Sequence, residues 1–175
     1  MTKYEDTYLG IDKSKAHPNA LKLLEEDFFW SNGDELAPFG SDEGHEALCE
    51  FRRWRKENPK IEVGYCLAWV INSVGEIDNY DDYNEENIVD EELIKRQKAD
   101  PNFDDQHYIY TLDTSIIATA LGQLVDEGII EIDYKYYVQV AINRQKIWAK
   151  LSDGWAHKDE YIRRLSIIET VLDKA

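Results

Sequence analysis

Three apolar stripes at helical spacing fill the last third of this chain, and they constrain the fold more than any other feature. The first runs through Ile116, Ile117, Ala120, Leu121, Leu124 and Val125. The second comprises Tyr134, Tyr137, Val138, Ala141, Gln145, Trp148 and Ala149. The third comprises Tyr161, Leu165, Ile168 and Leu172, with Ile162 beside them. Apolar residues three and four apart lie on one face of a helix, and each such face is hidden only if the helices pack together. Asp113 and Asp133 stand where side chains cap the first two helices, and Gly128 and Gly154 stand where helices stop.

The earlier chain follows the same pattern. A helix is expected from Pro18, which suits a first turn because it has no N–H to leave unpaired. It carries Leu21, Leu24, Phe28 and Phe29 and stops at Asn32-Gly33. Residues 31–43 read as an irregular loop, because Pro38 disfavours helix at Ala37 and Gly40 permits a positive φ. Ser41 or Asp42 can cap the next helix, which carries Ala47, Leu48, Phe51 and Trp54 and ends before Asn58-Pro59. The run 61–74 is nearly all apolar, so it is a buried helix or a buried strand; its length and neighbours favour helix, and Gly64 counts against it. Residues 108–112 are the other stretch that could be a strand. A loop over 76–89 leads to a short exposed helix from Asp90 to Ala99 and a turn at 100–102. The first 16 residues read as an extended lead-in. The expectation is an all-α, compact, bundle-like single domain of six or seven helices over 1–175.

The net charge is −16, from 36 acidic and 20 basic residues. Such a charge repels nucleic-acid phosphates and anionic lipid, so neither is the expected partner. The basic cluster Arg52, Arg53, Arg55, Lys56 and Lys60 reads as a solvated face or as internal ion pairing. No run approaches the roughly 18 apolar residues of a membrane span. The chain opens without a basic-then-apolar leader, so a cytoplasmic protein is expected. Cys49 and Cys66 lie in apolar segments. A disulfide is open on sequence alone, but two buried thiols are the reading that follows from the missing export signal.

Two segments hold the candidate chemistry. The first runs from Trp30 to His45 and brings Asp34, Glu35, Phe39, Asp42, Glu43 and His45 together. Carboxylates with an imidazole could take a small ligand or a divalent cation, or supply an acid and a base, with Asp34, Asp42 and His45 as the direct ligands. The spacing matches no metal motif, so no metal or cofactor is assigned. The plainer reading is a folded loop whose acids cap helix ends while Pro38 and Phe39 plug the core.

The second segment is acidic. Between 76 and 105 twelve acids face only Lys95, Arg96 and Lys98, a net of −9. It is not a calcium-binding EF-hand. With Asp82, Asn84 and Glu86 at positions one, three and five, Asn87 replaces the turn glycine and Leu93 the bidentate glutamate. The plainer reading is a solvated acidic loop. The functional one is a docking surface for a basic protein, through Asp78, Tyr80, Asp81, Asp82, Tyr83, Glu85 and Glu86, since complementary charge speeds association and discourages wrong partners. No nucleophile elbow, phosphate loop or dinucleotide fingerprint occurs, and the four histidines are scattered.

The run Phe28-Phe29-Trp30, then Asp34 to Gly44 (DELAPFGSDEG), then Phe51-Arg52-Arg53-Trp54 resembles a segment of an uncharacterised bacterial protein family. Similar segments occur in proteins labelled molybdate-metabolism-regulator-like and among immunity-type proteins, and Ile116–Leu124 resembles a later part of them. The resemblance covers about a third of the chain and implies a bacterial cytoplasmic protein, without an activity or a catalytic residue. The leading expectation is a non-enzymatic interaction protein of immunity or regulatory type. The alternative is a small metal- or ligand-binding enzyme built on residues 30–45. A homodimer is also open, sealed by Ile142, Ile147 and Ile167 if these are exposed, or else these are covered by the N-terminal segment.

Overall fold

The computed structural model describes residues 10–75, 91–99 and 106–175. These form seven α-helices and, among the described residues, no strand. They are α1 (Pro18–Leu23), α2 (Asp42–Glu57), α3 (Leu67–Gly75), α4 (Glu91–Ala99), α5 (Gln106–Glu127), α6 (Ile132–Lys150) and α7 (Lys158–Lys174). Short 3-10 turns at Lys13–Lys15, Asp27–Trp30 and Val63–Cys66 join or precede them. The expected acidic loop 76–89, the turn at 100–102 and the first nine residues of the lead-in lie outside the described residues.

Helix α5 is the axis of the molecule. Every residue from Thr111 to Val125 is buried, with α2, α3 and α6 packed around it. A helix covered on all sides has no polar face, and α5 places Thr111, Asp113, Ser115, Thr119 and Gln123 in the interior beside its apolar residues. One expectation fails here, the Asp113 cap, and the stretch that could have been a strand proves helical. Residues 108–112 are the first turns of α5, and Asp113 lies inside the helix rather than capping it. One cluster of buried side chains, the apolar residues of α5 included, runs from Ile11 to Leu172. Phe29, Phe39 and Phe51 are fully enclosed in it, each contributing on the order of 1.5–3 kcal/mol.

Helix α1 is much shorter than its stripe implied. It stops at Leu23, and the Leu24 carbonyl takes its hydrogen bond from the Trp30 indole N–H at 2.9 Å. The chain then turns through Asp27–Trp30, which buries Phe28 and Phe29, while Leu21 stays exposed. A stripe that continues through a bend cannot be told from an unbroken helix by spacing alone. The lead-in, too, is partly folded: Ile11 is buried, and Asp12 caps the turn Lys13–Lys15.

Helix α2 forms as expected. Ser41 Oγ accepts the Gly44 N–H at 3.1 Å, Asp42 and Glu43 sit in the positive first turn, and Ala47, Leu48, Phe51 and Trp54 are buried. The 61–74 run is helical from Val63 onward, a 3-10 turn leading into α3, with Gly64 exposed on the turn. Helix α4 is mostly exposed but buries Ile94. Helix α6 starts at Ile132 and not after an Asp133 cap; Glu131 precedes it, and Asp133 falls in the first turn. It lies between α5 and α7 and is also touched by α4, so two of its sides are covered. Ile142, expected on an exposed face, is therefore fully buried, and Ile147 and Ile167 are half-buried. The isoleucine face proposed for a homodimer is not an exposed one. Both cysteines are buried free thiols.

Gly128 ends α5 with a φ of 79°, and its N–H bonds the Leu124 carbonyl at 2.8 Å. A Cβ there would stand 2.1 Å from His17 Nδ1, the atom that caps α1 through the Asn19 N–H. Gly154 has a φ of 77°, yet a Cβ there meets nothing within 4 Å. Gly154→Ala should therefore cost about 1–2 kcal/mol of backbone strain. Gly128→Ala should cost about 1 kcal/mol more, because the cap is displaced as well. Urea unfolding midpoints of the two variants check this; equal losses would contradict the His17–Gly128 contact.

Candidate functional site

The segment 31–41 is held by its own polar groups. Ser31 Oγ accepts the Asp34 N–H, Asp34 Oδ1 accepts the Leu36 N–H, and the Ala37 N–H bonds the Asp34 carbonyl at 2.8 Å. Asp34 Oδ2 takes the Arg164 guanidinium at 2.6 Å, and Arg164 also bonds Glu160 and lies over the Phe28 ring. Asp34 thus ties the loop to α7. Ala37, Pro38 and Phe39 are buried as a plug.

The other residues expected in a ligand site here do not converge. Trp30 is half-buried with its N–H used internally, Glu35 is exposed, and Asp42 is exposed at the start of α2. His45 lies one turn on, its Nε2 3.7 Å from Cys49 Sγ. Among the described residues, no three His, Cys, Asp or Glu side chains come close enough to hold a metal ion.

Beside this loop lies a small cleft, lined by Glu35, Leu36, Ser41, Tyr110, Thr114 and Tyr161 among others. Tyr110 hydrogen-bonds Ser41 and Thr114, and burial pushes its phenol up. Burial also drives the Tyr161 phenol well above its ordinary range, helped by Tyr110 and Asp113 nearby. Burial likewise raises the Cys49 thiol and raises the Cys66 thiol strongly. These phenols and thiols stay protonated at neutral pH, so none of them is poised as a nucleophile or base.

Behind the cleft is an ionic group that the sequence reading missed. Asp113, fully buried on α5, is clamped by Arg144 of α6 through two bonds of 2.6 and 2.9 Å. Gln145 donates to the same carboxylate at 2.8 Å, and Tyr161 of α7 donates to Gln145 Oε1. Burial raises the Asp113 carboxyl above its usual range, opposed by Arg144 and Gln145. The available signal was polar residues on a buried face: Gln145 lies on the α6 stripe, and Asp113 three residues before Ile116.

A second knot closes the other end of α5. Arg55 of α2 pairs with Glu127 at 2.9 Å and reaches Glu131 at 3.6 Å, and it donates to the Ile61 carbonyl. Gln123 bonds Glu127 and Glu131, and Glu131 accepts the Val63 N–H at 2.6 Å. Nearby, Arg52 pairs with Asp126 at 2.8 Å, and Arg53 pairs with Glu50. Internal ion pairing is therefore the outcome for the three arginines of the basic cluster, while Lys56 and Lys60 are exposed.

The expected partner-binding residues Asp78, Tyr80, Asp81, Asp82, Tyr83, Glu85 and Glu86 lie outside the described residues. Comparison of the chain with protein-family models, with curated proteins and with solved structures finds no match.

Removing Asp113 alone takes away the carboxylate that clamps the buried Arg144 guanidinium, so Asp113→Leu should lose roughly 3–5 kcal/mol. The double variant Asp113→Leu/Arg144→Met should recover most of that loss, because a buried pair and apolar groups of similar volume are nearly equivalent. Chemical denaturation of the two variants is the check. Glu160 is held at about 2 by hydrogen bonds from Arg163 and Arg164. Its folded value lies below its unfolded one, so its stabilisation is present above about pH 4.5 and lost as pH falls towards 2. Glu160→Gln should flatten the acid limb of a pH–stability profile across that window.

Proposed function

We propose that this chain is a non-enzymatic interaction protein that binds a basic protein by electrostatic complementarity, as an inhibitor of immunity type or a regulatory partner does. One observation carries the reading: the charge is strongly asymmetric, −16 overall, with a net of −9 between residues 76 and 105 alone. The described residues support it in a second way. Six of the seven arginines (52, 53, 55, 144, 163 and 164) are ion-paired within the chain and present no broad cationic face. An uncompensated anionic exterior raises encounter rates with cationic partners and repels anionic ones. The resemblance to immunity-type proteins points the same way.

The alternative, an enzyme on residues 30–45, gains no support from the described residues. Asp34 is taken by Arg164, and none of Asp34, Asp42 and His45 lines the adjoining cleft.

The test replaces Asp78, Asp81, Asp82, Glu85 and Glu86 by their amides. A basic protein captured by the wild-type chain is purified, and its association is followed by stopped-flow over a range of salt. The variant should associate at least about 10-fold more slowly at low salt, with a flatter salt dependence. Unchanged association would overturn the reading.

A further inference from the structure

Among the described residues, six large hydrophobic side chains are exposed, and five of them lie on two stretches of chain, 61–65 and 129–136, that one ionic knot links at a corner. These are Ile61 (45%), Tyr65 (73%), Ile129 (51%), Ile132 (80%) and Tyr136 (44%). The Arg55–Glu131 knot brings them together. Arg55 bonds the Ile61 carbonyl, and Glu131 holds the Val63 N–H. Tyr65 is two residues from Val63, Ile129 and Ile132 flank Glu131, and Tyr136 follows Ile132 by one helical turn on the same face. The knot fixes the backbone under the patch, so the apolar groups are presented on a rigid base.

Scattered exposed hydrophobics are ordinary, whereas a contiguous group on a rigid base marks a contact surface. Tyrosine and isoleucine supply contact area, and tyrosine loses little freedom on binding. The charge around them selects the occupant. In the knot one guanidinium faces two carboxylates, Glu62 and Asp133 add two exposed acids, Lys60 offsets one, and Lys135 offsets another while donating to the Ala175 main-chain oxygen, which leaves a net of −1. The corner is net negative on a chain of −16, so a second copy and an anionic membrane are both repelled.

We infer that this corner is the apolar anchor of the partner-binding surface and takes a basic amphipathic segment of another protein. The inference rests on the reading of the chain as a binder of a basic protein, and it names where that protein is gripped. Apolar side chains of the segment cover Tyr65, Ile132 and Tyr136, and its cations meet Glu62 and Asp133.

The test uses the full chain and three synthetic 18-residue peptides of equal positive charge. One carries Lys and Leu at amphipathic helical spacing, one is its scramble, and one carries Lys and Ser. Affinity is read by calorimetry, for the wild type, for Tyr65→Ser/Ile132→Ser and for the five-amide variant at 78–86. Both substituted side chains are exposed, so the serine variant should keep its urea midpoint. The amphipathic peptide should bind at least 10-fold more tightly than the other two, and the serine variant should lose at least 10-fold. Equal affinity for all three peptides, or no loss in the serine variant, overturns the corner. If the five-amide variant still weakens binding in that case, the basic-partner reading stands; if neither variant weakens binding, both fall. Two further outcomes also overturn the corner's assignment: a concentration-dependent dimer that Ile132→Ser dissolves, or serine-sensitive binding to phosphatidylserine vesicles.

Discussion

The full enclosure of α5 is the constraint on which the other features depend. From Thr111 to Val125 this helix has neighbours on every side and cannot turn its polar residues to water. The charged and amide side chains among them find partners in the interior in two sets, while the buried Ser115 Oγ makes no side-chain hydrogen bond. Asp113 is answered by Arg144, Gln145 and Tyr161, which ties α5 to α6 and α7. Gln123 and Glu127 are answered by Arg55 and Glu131, which ties α5 to α2 and to the start of α6. Apolar packing holds the helices together, and these ionic groups fix their register, because a shifted helix would leave a buried charge unpaired.

The same groups shape what the surface can offer. Arginines that complete buried networks, such as Arg55 and Arg144, are withdrawn from the exterior and do not offset the acidic excess there. The knot at Arg55 has a second consequence, since it holds the 3-10 turn Val63–Cys66 against the start of α6 and so gathers exposed apolar side chains from two parts of the chain. One interaction thus serves both the core and the corner.

Much of the fold was legible in the sequence, for a physical reason. Helices with one wet face advertise themselves: α2 showed its cap at Ser41 or Asp42, its buried stripe and its stop at Asn58, and α7 showed Leu165, Ile168 and Leu172. The failures fall where that contrast vanishes. Asp113 looked like a cap because an acid ahead of an apolar run usually is one, and only the position of Arg144 in space shows otherwise. Leu21, Leu24 and Phe28 looked like one helix because a bend can preserve spacing. Ile142 looked exposed because α6 is covered on two sides and a single stripe cannot report the second. The candidate site was less legible. Asp34, Asp42 and His45 are neighbours in sequence, but Asp34 turns to Arg164 and Asp42 to the start of α2, and neighbourhood along a chain does not fix direction.

Native-state hydrogen exchange tests the central claim most directly, because it reads the opening free energy of each helix separately. If α5 is the enclosed axis, its amides from Thr111 to Val125 exchange only through global unfolding and are the slowest in the molecule, far slower than those of α1 or α4. Exchange of the α5 amides at rates like those of α4, well short of global unfolding, would contradict the account.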